Sequence, residues 1–466
     1  MFIGRQKELK LLEEKYQSKR SEIIVITGRR RIGKSALIDH FIHNKNSLRF
    51  EAIEGKNTPE QITHFVSQLK NQMKDPLLEG VQFQTWHAVF TYLTQKIQNQ
   101  SKKTILFFDE LQWMAAEKSS LISLIKFFWD NHWKKKNILL ILCGSIASFM
   151  LERVIKSKAL YGRITGEIHL KSLSPPEAKA FFRGKRSPNE VLLYLLVFGG
   201  IPKYLELVDE NKSFHQNMNS LCFKPEGVML TEFDKIFYSH FKTHRVYLKI
   251  VKALRDKAMS LNEISKVLKM PSGGGLKRYL TQLEDAEMIK GFVSLTKELN
   301  TKFKKYRLDD EYLVFYFKYL EPFLRIIRES PVEDLFEMIT QKSFDSWMGF
   351  AFERFCLKQA AYLSKIMGFS NKVLSFGPFF TKESPYFQID LLYTRTDKVI
   401  TLCEVKFHQK EIDTTIIPEV ERKCQLFPFP KGYTLEKALI SLHGPSKALL
   451  DTEYFHHYVS MKDIMG

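Results

Sequence analysis

Three stretches of the chain have nearly unbroken apolar cores. EIIVIT at 22–27, TILFFDE at 104–110 and NILLILCGS at 137–145 have the texture of strands buried on both faces of a parallel sheet. ALIDHFI, shortly after the first run, changes to helical spacing. SPPEAKAFF at 174–182 opens another helix, with Ser174 as cap, proline at the first position and Glu177 closing a capping box.

Between 247 and 291 the helical segments shorten. Ser260 and Glu263 form a second capping box before LNEISKVL, PSGGG reads as a turn, and LKRYLTQLEDAEMI places Leu276, Tyr279, Leu280 and Leu283 on one face. Two short strands follow, from Gly291 and from Lys304. Helix, helix, turn, helix and wing predict a winged helix. Its last helix would turn Lys277, Arg278, Thr281 and Gln282 outward, with Lys302, Lys304 and Lys305 on the wing. Such a module either contacts DNA or packs on a lid or a neighbouring subunit.

From about residue 330 the texture changes again. FDSWMGFAFERFCLKQAAYL at 344–363 predicts one long helix with Phe344, Trp347, Phe350, Ala351, Phe355 and Leu357 inward and Glu353 set among them. FQIDLLYT, TRTDK and VITLCEVKF then read as strand, turn and strand.

Composition narrows the class. A chain of 466 residues exceeds one ordinary core, so several domains are expected. The longest apolar window, Ile138 to Leu151, is shorter than the roughly 20 residues a spanning helix needs, and MFIGRQKELK lacks the apolar core of a signal peptide. Five cysteines without paired spacing suit a reducing cytoplasm. The net charge is +19, and residues 241–310 carry 16 Lys/Arg against 8 Asp/Glu. This favours a polyanionic partner such as DNA.

GRRRIGKS at 28–35 lies between the first strand and its helix, the context of a phosphate-binding loop. Gly28 and Gly33 let the loop backbone, with Arg29, Arg30, Arg31 and Ile32 between them, turn its N–H groups toward phosphate oxygens. Lys34 places a cation on the β and γ phosphates, Ser35 offers a hydroxyl to Mg²⁺, and the helix adds its positive end. These features predict ATP and Mg²⁺ as ligands. Asp109 would hold the metal through water, and Glu110 would orient or deprotonate an attacking water, which implies hydrolysis. Ser145, past the third strand, either senses the γ-phosphate or caps the next helix. Arg163, in LYGRITGEI, either reaches the nucleotide of a neighbouring copy, which implies a homo-oligomer, or is a solvated arginine.

In the tail, Glu404 and Lys406 lie two apart on a strand and so share a face. Asp390 comes beside them if the two strands pair as a hairpin. Two carboxylates can hold hard cations, and the lysine can position a nucleophilic water, the minimum needed for phosphodiester hydrolysis.

FIGRQKEL at 2–9, GRRRIGKS, FFDELQW at 107–113, CGS, LYGR and GGIPKYL at 199–205, in that order, resemble the prokaryotic family often called archaeal ATPases. That family lies near the signalling ATPases with numerous domains, within the AAA+ grouping. The resemblance implies Gly4 and Arg5 near the adenine and ribose, and a helical lid with Pro202 or Lys203 near the nucleotide. Asp390, thirteen residues, then Glu404-Val405-Lys406 resembles the PD-(D/E)XK nuclease core, with Glu353 as the extra acid of many members and Gln425 as the glutamine of some. The proline usual before the first acid is absent. An archaeal-type ATPase followed by a winged helix and such a tail, long catalogued as a domain of unknown function, is a recurring architecture.

The expected fold class is therefore α/β. It comprises a P-loop core at 1–172, a helical lid at 173–240, a winged helix at 241–325 and a restriction-endonuclease-like domain at 330–466. The expected function is ATP-dependent action on DNA with a Mg²⁺-dependent nuclease-like tail. The alternative is a nucleotide switch whose tail binds DNA or protein without cutting.

Overall fold

The apolar runs become the centre of a parallel sheet. β1 (Glu22–Thr27), β3 (Thr104–Asp109) and β4 (Ile138–Cys143) are buried at every position. With β2 (Ser47–Glu51) and β5 (Gly166–His169) they stand in the order β2-β3-β4-β1-β5, every neighbouring pair parallel. Because β4 lies between β1 and β3, the loop after β1, Asp109 at the end of β3 and Ser145 just past β4 emerge at one edge of the sheet. One face packs on Phe65, Phe90, Phe128 and Trp133, all fully or almost fully buried.

The computed structural model describes residues 2–466 apart from 98–101, 116–119, 146–148, 241–243, 294, 296–303, 331 and 382–383. Lys302 lies outside the described residues. The chain divides into two compact units, Met1–Ser172 and Leu173–Gly466.

The second unit opens with the helix Pro175–Phe181, whose Ser174–Glu177 capping box is formed. The apolar helix Pro188–Phe198 stops at Gly199, in the left-handed region at φ 65°. A Cβ on Gly200 would fall 2.4 Å from the Leu173 carbonyl oxygen, so this turn closes only on glycine. Further on, β6 (Met259–Ser260), β7 (Ile289–Phe292) and β8 (Lys305–Leu308) form an antiparallel sheet in the order β6-β8-β7. The helices His244–Ala253, Leu261–Leu268 and Gly274–Asp285 accompany it, and Ser260 and Glu263 make the expected capping box. Leu276, Leu280 and Leu283 are buried, while Tyr279 packs edge-on against Tyr247.

The tail holds a mixed sheet. β9 (Val373–Phe380), β10 (Gln388–Arg395) and β11 (Val399–Lys406) are antiparallel neighbours. β12 (Thr434–Ser441) and β13 (His457–Ser460) continue parallel to β11, in the order β13-β12-β11-β10-β9. The helix Ile417–Leu426 makes the crossover from β11 to β12. The β9–β10 register slips between Ile389 and Leu392, which places a bulge at Asp390–Leu391.

The long helix expected at 344–363 is two helices, Phe344–Lys358 and Ala360–Ile366, meeting at Gln359. Its inward face also differs. Trp347, Met348, Ala351, Phe352, Phe355 and Cys356 are buried, whereas Phe350 is 62% exposed and Leu357 only partly buried. The buried set fills one side of the helix, and Phe350 falls on the opposite side, one turn before Glu353. Among the described residues no helix is long and apolar enough to cross a membrane.

Candidate functional site

In the first unit the loop after β1 is shaped by residues that tolerate its backbone. Gly28 has φ 149°, and a Cβ there would come within 2.6 Å of the Leu170 carbonyl oxygen. Gly33 and Arg31 are left-handed at φ 89° and 71°. Ile32 anchors the loop in the core, and Arg29 is also buried, while Arg30 is exposed near Glu54 at 3.9 Å. Lys34, at the start of the helix Lys34–Ile42, donates to the carbonyls of Gly28 and Arg29, both at 2.9 Å. Its ammonium thus lies inside the curve of the loop. Arg5, left-handed and buried after Gly4, donates to the Ile32 carbonyl at 3.2 Å and ties the N-terminal segment to the loop.

Ser35 and Asp109 meet directly, Oγ donating to Oδ2 at 2.7 Å. Asp109 is buried, accepts from the Glu110 N–H at 3.0 Å and has Arg49 at 3.5 Å. A hydroxyl beside a hard carboxylate fits a Mg²⁺ site. Glu110 adopts the left-handed conformation at φ 51°, which throws its side chain toward β4. There Ser145 Oγ donates to Glu110 Oε2 at 2.8 Å, and Gln112 Nε2 donates to both Glu110 and Ser145. Arg163 is not a free surface arginine: its guanidinium forks onto Asp130 at 2.8 and 2.9 Å.

In the second unit the β10–β11 register pairs Leu391 with Cys403, so one step further Asp390 stands opposite Glu404. Glu404 is fully buried. Lys423 donates to its two oxygens at 2.8 and 2.7 Å, and Lys406 approaches Oε1 at 3.0 Å. Lys406 also binds Glu419, 3.1 Å away. Burial, then the Glu404 charge, pushes the Asp390 carboxyl up to about 6. Burial, then Asp390, pushes Glu353 up to about 7. Burial works against both ammonium groups, yet the Glu404 carboxylate holds Lys406 and Lys423 above their usual values. Burial and then like charge raise Glu353 and Asp390, so a divalent cation beside their hard oxygens would be favoured. Glu353, Asp390 and Glu404 would hold it.

Comparison with known proteins accords with the loop. The family of ATPase domains predominantly from Archaea matches residues 2–208. A family of archaeal and bacterial proteins of unknown function matches residues 316–417. An uncharacterized protein of Methanocaldococcus jannaschii is 30% identical over 464 residues, 98% of this chain and 100% of its own. The chain belongs to the archaeal ATPase family. An uncharacterized ATP-binding protein of the same organism is 26% identical to this archaeal ATPase over 288 residues, 51% of this chain and 78% of that one. A Walker-type ATPase of Pyrococcus abyssi shares the fold with a TM-score of 0.50 at 20% identity, covering 67% of this chain and 95% of that one. The protein is thus an ATP-binding P-loop ATPase of the archaeal ATPase family.

Elsewhere in this archaeal ATPase, Lys277 and Arg278 are exposed on the helix Gly274–Asp285. Lys304 is paired with Glu284 at 3.1 Å, and Lys305 is half-buried on β8. Lys203 is paired with Glu206 on its own turn. Gln425 is exposed and is not the residue that the crossover helix directs at the acids; Lys423 is. Sequence reading passed over Lys423 and Gln112. A signal for Lys423 existed: it takes a buried position in the helical stripe Ile416, Val420, Phe427, where an apolar residue is expected.

Proposed function

We propose that this protein hydrolyses ATP and acts on DNA through a Mg²⁺-dependent, nuclease-like tail. The observation that carries the proposal is the convergence of Glu353, Asp390, Glu404 and Lys406 in a chain that also holds a complete phosphate loop. Ser35 and Asp109 would hold Mg²⁺ in the first unit, and Glu353, Asp390 and Glu404 in the tail, where it would supply positive charge to phosphate oxygens. In the first unit Lys34 and the loop N–H groups orient the β and γ phosphates. Glu110 takes the proton of the attacking water, and Ser145, hydrogen-bonded to Glu110, fixes that carboxylate. In the tail Lys406 orients the water that attacks phosphorus and stabilises charge on the phosphoryl oxygens.

The three-stranded sheet with its helices supports a winged-helix reading of the middle segment. Lys277 and Arg278 are its DNA-facing candidates, because Lys304 already serves Glu284. A trans role for Arg163 in an oligomer would require breaking its fork on Asp130.

One observation favours the second reading, a switch that binds without cutting: both oxygens of Glu404 already have lysine partners. The deciding experiment incubates the protein with Mg²⁺ or Mn²⁺ and linear, circular, single-stranded and branched DNA, with and without ATP. Cleavage that disappears in Asp390→Asn and Lys406→Met while ATP turnover persists establishes the nuclease. Intact ATP turnover without cleavage of any substrate establishes the switch.

A further inference from the structure

The positive charge in the tail cluster is unevenly spent. Lys406 and Lys423 both converge on Glu404, while Asp390 is served by neutral donors, the Gln388 amide at 3.3 Å and the Val405 N–H. Lys423 is a costly occupant of its position. It is 8% exposed and replaces an apolar residue in the buried stripe of the helix Ile417–Leu426. A buried ammonium persists only with a close carboxylate, and here both of its shortest contacts, 2.8 and 2.7 Å, are to the two oxygens of one group. Those are the same oxygens that a cation shared with Asp390 must use. Glu419, four residues back on the same helix and 3.3 Å from the Lys423 ammonium, offers a second anchor nearer solvent.

We infer that Lys423 is an exchangeable counter-cation. It holds Glu404 until a divalent cation enters beside Asp390 and Glu404, then moves its ammonium toward Glu419 and the substrate phosphate. This rests on the metal-dependent reading of the tail. It makes Lys423 a positioning residue that couples cation entry to phosphate capture, and it explains how a carboxylate with lysines on both oxygens still serves a metal site.

The test uses the full chain without nucleotide, with Mn²⁺ as the probe and free Mn²⁺ read by electron paramagnetic resonance. Lys423→Met and Lys423→Gln are each expected to bind Mn²⁺ about tenfold more tightly than the wild type, because a competing charge-assisted hydrogen-bond pair is gone. Asp390→Asn is expected to abolish that binding. In the wild type, saturating Mn²⁺ should raise the rate of Lys423 acylation by an amine-reactive ester several-fold, read by peptide mass spectrometry. Buried Lys103 in the first unit serves as the unchanged control. Asp390-dependent Mn²⁺ binding with unaltered affinity in both Lys423 variants, or with no change in acylation, overturns the exchange and leaves the metal site standing. Absence of Asp390-dependent binding in all three proteins overturns the metal-dependent reading and the exchange with it.

Discussion

Eight consecutive residues, 28–35, build the phosphate loop, whereas the tail cluster draws on positions 353, 390, 404, 406 and 423 from two helices and two strands. The loop works through main-chain N–H groups and therefore depends on backbone shape. The cluster works through ionised side chains and therefore depends on charge balance in a buried place. The first is vulnerable to one added methyl group, the second to one lost charge.

That contrast gives its largest effect at Glu404. Glu404→Ala leaves the buried Lys423 ammonium with Glu419 alone, 3.3 Å away, and the unfolding transition of the second unit should lose about 3 kcal/mol in a denaturant titration. Glu404→Ala together with Lys423→Met should recover much of it. Loss of the same size in the double variant would mean that packing, not charge, sets the cost.

Next is Gly28→Ala. Its Cβ would press on the Leu170 carbonyl oxygen at a φ that L-residues rarely adopt. Nucleotide affinity, followed with a fluorescent ATP analogue, should fall by on the order of thirtyfold, with the second unit's unfolding unchanged. Wild-type affinity in Gly28→Ala would show that the loop is not the phosphate cradle.

Ser145→Ala removes one hydrogen bond to Glu110 and should lower kcat for ATP hydrolysis about tenfold while nucleotide affinity stays within about twofold. An affinity loss without a kcat change would place Ser145 on the ground-state nucleotide instead.

The smallest effect concerns thiols. Cys143, Cys222, Cys356 and Cys403 are buried, and burial raises each thiol. Cys424 is partly exposed and is pushed up to about 11 by burial. The thiolate is the reactive form, so a disulfide reagent should modify Cys424 first, at a rate still climbing between pH 9 and about 11. A plateau near pH 8.5 would show an unburied thiol.

Sequence legibility follows the same division. The loop could be read because its residues are contiguous and bracketed by a strand and a helix. Asp390, Glu404 and Lys406 were legible because hairpin pairing is local in sequence. Lys423 showed in the sequence only as a lysine in an apolar helical stripe, and its partnership with Glu404 depends on how the crossover helix lies over β11, which that stripe does not specify. Phe350 was misplaced for a related reason. Aromatic and aliphatic residues crowd both sides of the helix Phe344–Lys358, and only packing decides which side turns inward.

The bulge at Asp390–Leu391 has a consequence for how the acids are aligned. The extra residue in β10 separates the register of β9 from that of the β10–β11 pair. The opposition of Asp390 and Glu404 is therefore set by β10 and β11, while β9 follows its own register on either side of the bulge and is pinned to the core by buried Phe379.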